Sequence, residues 1–181
     1  MIETKDLAPD RRANRCFVKA RQKHFYSLYC HYTRTNTYPF FVDISGPSQR
    51  MSFTQFVEYC TEDNATLLVA MNQNIIGGFV LLSDIQLDLE LANLDFCFFE
   101  SYPVPDSAAA HLLKATLARI MTQNALTRLQ MLVLEIEKAK IDLLKWLEFE
   151  IEGTLREHFF FSGAHHNLAV FSRTETARHD L

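Results

Sequence analysis

Two carboxylates stand where a proton could be taken from an attacking group. Asp95 interrupts the largely apolar stretch from Leu91 to Phe99, and Glu100 closes it. Apolar surroundings deny a carboxylate its hydration and raise its pKa toward the range of a general base. Glu135 and Glu137 sit in the same way at the end of the apolar run that begins at Leu129. Each of these four has a plainer reading, as a solvated or structural carboxylate. A further feature is the segment Pro105-Asp106-Ser107-Ala108-Ala109-Ala110, which reads as a helix start. A helix N-terminus offers unpaired N–H groups and a partial positive charge, and so suits a phosphate. Asp106 competes for that role, because a carboxylate at this position caps the same N–H groups itself.

Other reactive side chains form no pattern. His158, His165 and His166 lack a carboxylate or cysteine at ligand spacing, so they read as surface groups and no metal is expected. Cys16, Cys30, Cys60 and Cys97 are scattered without a C-x-x-C pair, and Cys97 between Phe96 and Phe98 reads as an inert buried thiol. Neither a nucleophile elbow nor a Walker loop is present.

The elements that must position these groups alternate in type. Strands are expected at Cys16–Ala20, Thr66–Met71, Ile75–Ser83, Leu91–Phe99, Leu129–Ile136, Phe149–Phe161 and His165–Arg173. The segment from Thr33 to Arg50 reads as a long loop with at most a short strand at Phe40–Ile44. Helices are expected at Gln22–Tyr32, after Ser52, from Asp106 or Ser107, and at Lys138–Leu147. Ser52 with Gln55 three residues on forms a capping box. Asn72-Gln73-Asn74 turns a hairpin whose second strand carries Gly77-Gly78, a sign of a bulge or close backbone approach. Strands and crossing helices in this order make an α/β sheet with helices on its faces.

Composition limits the functional classes. At 181 residues the chain suits one domain, and 48% apolar residues are too many for disorder. The net charge of −4 lacks the basic excess that displaces phosphate counterions, so no nucleic-acid partner is expected. Met1 to Asp10 has no apolar run for a signal peptide, and no stretch approaches a membrane span. A cytoplasmic protein is expected, with residues 1–14 as an extension, 15–173 as the domain and 174–181 as a polar tail.

The run Trp146-Leu147-Glu148-Phe149-Glu150-Ile151-Glu152-Gly153-Thr154-Leu155-Arg156-Glu157, continuing to Gly163, resembles the L-G-F-x-x-E-G-x-L-R-E segment of GNAT N-acetyltransferases. His165 to Ser172 resembles the last strand of the branch that acetylates ribosomal-protein N-termini. Asn72 to Phe99 also fits the family's hairpin and fourth strand. The resemblance implies the GNAT fold, a mixed and mostly antiparallel sheet with helices on both faces.

It implies a site as well. Acetyl-CoA would be the co-substrate, its pantetheine arm on the fourth-strand backbone at Phe96, Cys97, Phe98 and Phe99. Its pyrophosphate would lie on the helix start, where Val104, Ser107, Ala108, Ala109 and Ala110 match the family's phosphate loop. Val104 stands where Gln or Arg is usual, and Ser107 replaces a glycine. Glu137 replaces an Asn that contacts the cofactor, Lys140 an Ala, Leu144 a proton-donating Tyr and Glu148 a Gly. Glu100 or Asp95 would accept the proton of a primary amine that attacks the thioester directly. A homodimer is implied by the family's habit of pairing through a sheet edge. The departures at Pro105-Asp106, Glu137, Leu144 and Glu148 support a different reading, in which a GNAT-like domain with a degenerate CoA site acts as a non-catalytic binding or assembly module.

Overall fold

Among the described residues, seven strands and four helices follow one another in the expected order. The computed structural model describes residues 15–34, 51–99, 107–161 and 163–175. The short strand expected at Phe40–Ile44 lies outside these. The elements are β1 (Arg15–Lys19), α1 (Gln22–Arg34), α2 (Phe53–Thr61), β2 (Thr66–Asn72), β3 (Ile75–Gln86) and β4 (Leu91–Phe98). They continue as α3 (Ser107–Gln123), β5 (Arg128–Leu134), α4 (Lys138–Trp146), β6 (Glu150–Phe161) and β7 (Ala164–Thr174).

The strands form one mixed sheet, ordered β1-β2-β3-β4-β5-β7-β6. Its pairings are antiparallel except β4 with β5. That parallel pair demands a crossover, which α3 supplies. At the far end of α3, Thr127 N–H donates to the Glu90 carbonyl at 2.8 Å. The helix therefore begins toward the C-terminal end of β4 and finishes beside its start.

Side chains alternate across the strands and build two cores. Leu68, Ala70, Val80, Leu82, Leu94 and Phe96 pack on one face with Leu113 and Leu117 of α3 and Leu144 and Leu147 of α4. Leu67, Val69, Phe79, Leu81 and Phe99 face the other way, against Phe25 and Leu28 of α1 and Phe56 and Cys60 of α2. Helices thus cover both faces. Among the described residues, no helix is long and apolar enough to cross a membrane.

Local chemistry explains several boundaries. Ser52 caps α2 through a complete capping box, as its residue types predict: Gln55 N–H donates to Ser52 Oγ, and Ser52 N–H to Gln55 Oε1. The β2–β3 register slips beside Gly77, pairing Ala70 with Gly78 and Met71 with Ile76. At Gly78 an added Cβ would lie 2.3 Å from the Cys97 carbonyl oxygen. The glycine pair therefore marks both a bulge and a close approach. β3 runs three residues beyond its expected end, through an irregular pairing with β4 between Ser83 and Gln86.

Helix α4 ends in a Schellman turn. Phe149 N–H donates to the Leu144 carbonyl and Glu148 N–H to the Lys145 carbonyl, with Glu148 at φ +67°. Leu144 and Phe149 are both buried, as the apolar contact of that motif requires.

Candidate functional site

Strands β4 and β5 part company early. They pair only at Leu91–Arg128, Ala92–Leu129 and Asn93–Gln130, although β4 runs to Phe98 and β5 to Leu134. Beyond Asn93 the β4 edge receives no strand from β5. Phe99 N–H donates to the Gly77 carbonyl at 2.8 Å. By strand alternation Asp95, Cys97 and Phe99 turn their backbone groups toward β3, whereas Leu94, Phe96 and Phe98 turn theirs toward the fork. Of the four residues expected to carry a pantetheine arm, Phe96 and Phe98 turn backbone toward the opening, with the Phe96 N–H taken by Asp95 Oδ1. Cys97 and Phe99 do not, because β3 takes their hydrogen bonds.

At the base of the fork lies a group of charges. Asp95 comes two residues after the last β4 residue paired with β5, and its Oδ1 accepts the Phe96 N–H at 2.7 Å. Lys140 Nζ on α4 stands 3.7 Å from Asp95 Oδ1 and 3.2 Å from Glu137 Oε1. All three side chains are largely buried, at 18% exposure for Asp95, 15% for Lys140 and 9% for Glu137. Burial pushes Asp95 up to about 7; Lys140 and the Phe96 N–H pull it back, and Glu137 adds to the rise. For Lys140 burial acts downward, but Asp95 and Glu137 outweigh it and the net shift is upward. Lys140 therefore remains an ammonium at neutral pH, while Asp95 is poised to gain or lose a proton.

The remaining expected residues divide clearly. Glu137 precedes α4, and its Oε2 accepts the Leu134 N–H at 3.3 Å, fixing the carboxylate at the end of β5. Glu135 accepts from Asn167 Nδ2 at 3.0 Å, which ties it to β7 instead. Ala108, Ala109 and Ala110 form the first turn of α3 with Ser107. Ala109 packs in the same core as Leu94 and Phe96. Glu100, Val104 and the Pro105-Asp106 pair lie outside the described residues.

Leu144 is fully buried in the core, as its place on an amphipathic helix predicts. Burial pushes the Cys97 thiol up to about 12, so it stays protonated and inert. His165 is exposed. No group of three His, Cys, Asp or Glu side chains among the described residues is arranged to hold a metal.

Two residues escaped the reading of the sequence as participants. Lys140 is signalled only by its i,i+3 spacing from Glu137, an ordinary helical ion-pair spacing. His31 of α1 stacks on Phe99 at the end of β4, with ring centroids 3.9 Å apart and 12° between planes. Nothing in the order of residues connects those two rings.

No family model and no curated protein matches the sequence. Solved structures do match. A crystal structure of spermidine N-acetyltransferase from Vibrio cholerae in complex with CoA and spermine is 15% identical, with a TM-score of 0.73 over 88% of this chain and 95% of that one. A chimera of that Vibrio cholerae enzyme and hSSAT gives the same four values. A dodecameric structure of the same Vibrio cholerae enzyme gives a TM-score of 0.72 at 14% identity, over 88% of this chain and 93% of that one. At such identities the likeness concerns backbone architecture, and with the mixed sheet and its helices it establishes that this chain has the GNAT N-acetyltransferase fold.

Proposed function

We propose that the chain is an acyl-CoA-dependent N-acetyltransferase that passes an acetyl group directly from acetyl-CoA to a primary amine. The observation that carries this reading is the fork between β4 and β5, with a buried carboxylate at its base. A strand edge without a neighbour can hold an extended amide-bearing chain as if it were a further strand. The pantetheine arm is such a chain, and the Phe96 carbonyl faces it, while the Phe96 N–H is held by Asp95 Oδ1. The first turn of α3, Ser107 to Ala110, would take the pyrophosphate, since the helix begins toward the open end of β4. Asp95 would accept the amine's proton at neutral pH, with Glu100 as the other candidate base. Glu137 would bound the acyl site through its hold on Lys140 rather than touch the cofactor.

The structural neighbours act on spermidine, whereas the motif from Trp146 to Gly163 resembles the ribosomal-protein branch. The proposed acceptor is accordingly a primary amine, either a polyamine or a protein N-terminus. Residues 15–173 would form the acyltransferase domain, with 1–14 an extension and 174–181 a tail, working in the cytoplasm. Self-association is proposed on the example of the dodecameric neighbour.

Thermal unfolding with acetyl-CoA tests the reading. A ligand at 100 times its dissociation constant adds about 2.7 kcal/mol, which for a chain of this size raises Tm by roughly 5–11 °C. No shift at millimolar acetyl-CoA would refute it. Binding without transfer to spermidine or to peptide N-termini would leave a CoA-binding module.

A further inference from the structure

Among the described residues, the cation at the fork is Lys140, and its placement is unusual. Lys140 is 15% exposed, sits between two carboxylates and lies 5.9 Å from the centroid of the Phe96 ring. It comes from α4, on the β5 side of the gap, and reaches Asp95 on the β4 side, beyond the last backbone pair between those strands. Burying an ammonium costs several kcal/mol and is recovered only through close partners. A single carboxylate would form such a pair. Here a second is present, so the ammonium stays compensated when Asp95 loses its charge.

We propose that the Lys140 ammonium is the resident counter-charge for the sulfur that leaves the acyl donor, and that Asp95 returns the amine's proton to this sulfur. The inference rests on the N-acetyltransferase reading. The lone pair of a neutral amine adds to the thioester carbonyl carbon, forming the C–N bond and placing a pair on the carbonyl oxygen. The nitrogen gives a proton to the Asp95 carboxylate. The carbonyl reforms, the C–S bond breaks, and its electron pair departs on sulfur. At that moment negative charge has moved from Asp95 to the thiolate, and Lys140 remains beside both positions. The proton then passes from Asp95 to sulfur, giving the amide and free thiol.

A thiol of ordinary pKa about 8.5, brought down by the Lys140 ammonium, comes close to Asp95 at about 7, so the two acidities are matched and the proton passes between them without a large barrier from either side. The charged and titratable groups facing Lys140 are Asp95 and Cys97 from β4 and Glu137 at the N-cap of its own helix. Cys97 stays neutral, so the balance is set by the two carboxylates. Leu144, one turn further along α4, is buried and has no proton to give.

The test is the acidity of the thiol in bound CoA, read from its thiolate ultraviolet absorbance. The desulfo-CoA complex is subtracted to remove the protein's own cysteines. An ammonium at contact distance should lower that pKa by about 1–3 relative to free CoA. Lys140→Arg should preserve the shift, and Lys140→Met should abolish it while CoA remains bound. A bound thiol that titrates like free CoA in the unaltered protein overturns the inference and leaves the transferase reading intact. If CoA does not bind at all, the transferase reading fails and takes the inference with it. Should Lys140→Met not fold, the unaltered protein and Lys140→Arg still decide the matter.

Discussion

Replacing Asp95 by Asn should remove a specific dependence of stability on pH. In the folded chain Asp95 is pushed from 3.8 to about 7, mainly by burial, against the pull of Lys140. Between those values the folded protein holds a proton that the unfolded chain has released. Stability therefore falls as pH rises through this window, by about 1.4 kcal/mol per unit and about 4 kcal/mol in all. Asn keeps the shape and can still accept the Phe96 N–H, but it does not titrate. Urea unfolding at pH 5 and pH 7 measures the effect. From pH 5 to 7, unaltered protein should lose about 2–3 kcal/mol more than Asp95→Asn. His24 works the opposite way: burial holds its pKa below 6.5, so its effect is a loss of stability as pH falls through 6.5. It is present in both proteins and cancels in the comparison. Glu148 and Glu152 are held below the usual range by hydrogen bonds from Lys114 and Arg128, and lose their contribution only in more acid solution. Equal pH dependence in the two proteins would refute the placement of Asp95 as a buried, proton-holding group. The same substitution should lower acetyl transfer by about 10²–10⁴-fold.

Three other perturbations follow from the packing. Gly78→Ala should cost about 1–3 kcal/mol or more, because its Cβ would meet the Cys97 carbonyl at 2.3 Å and the Phe98 Cα at 2.9 Å; a fall in Tm together with weakened acetyl-CoA binding is the expected result. Glu148→Gly should raise the denaturant midpoint, since a left-handed non-glycine residue costs about 1–2 kcal/mol and its solvent-exposed pair with Lys114 offsets less than that. Ser52→Ala should cost about 1 kcal/mol by removing the cap of α2, seen as a lower urea midpoint.

The architecture was legible because its signals are local. The short apolar run Leu67-Leu68-Val69-Ala70, the capping box at Ser52 and the turn at Asn72-Gln73-Asn74 each specify structure within a few residues. The proposed site was legible by halves. Asp95 was visible as a carboxylate among apolar neighbours, whereas Lys140 lies 45 positions away in the sequence and meets it only because β5 leaves β4. The fork itself is a matter of strand pairing that no single segment encodes. Likewise, Phe96 and Phe98 differ from Cys97 and Phe99 only through the direction of their backbone groups, which the register with β3 decides.

The three-residue junction between β4 and β5 bears on how the molecule assembles. The β2–β3, β3–β4 and β6–β7 pairs join neighbours in the chain and can zip early, whereas the junction must wait for α3 to close a loop from Asn93 to Arg128. On this topology the sheet is expected to form as two wings, joined by a short hinge of hydrogen bonds between β4 and β5. Partial opening of the native protein is expected to begin along that line, with each wing keeping its own hairpins.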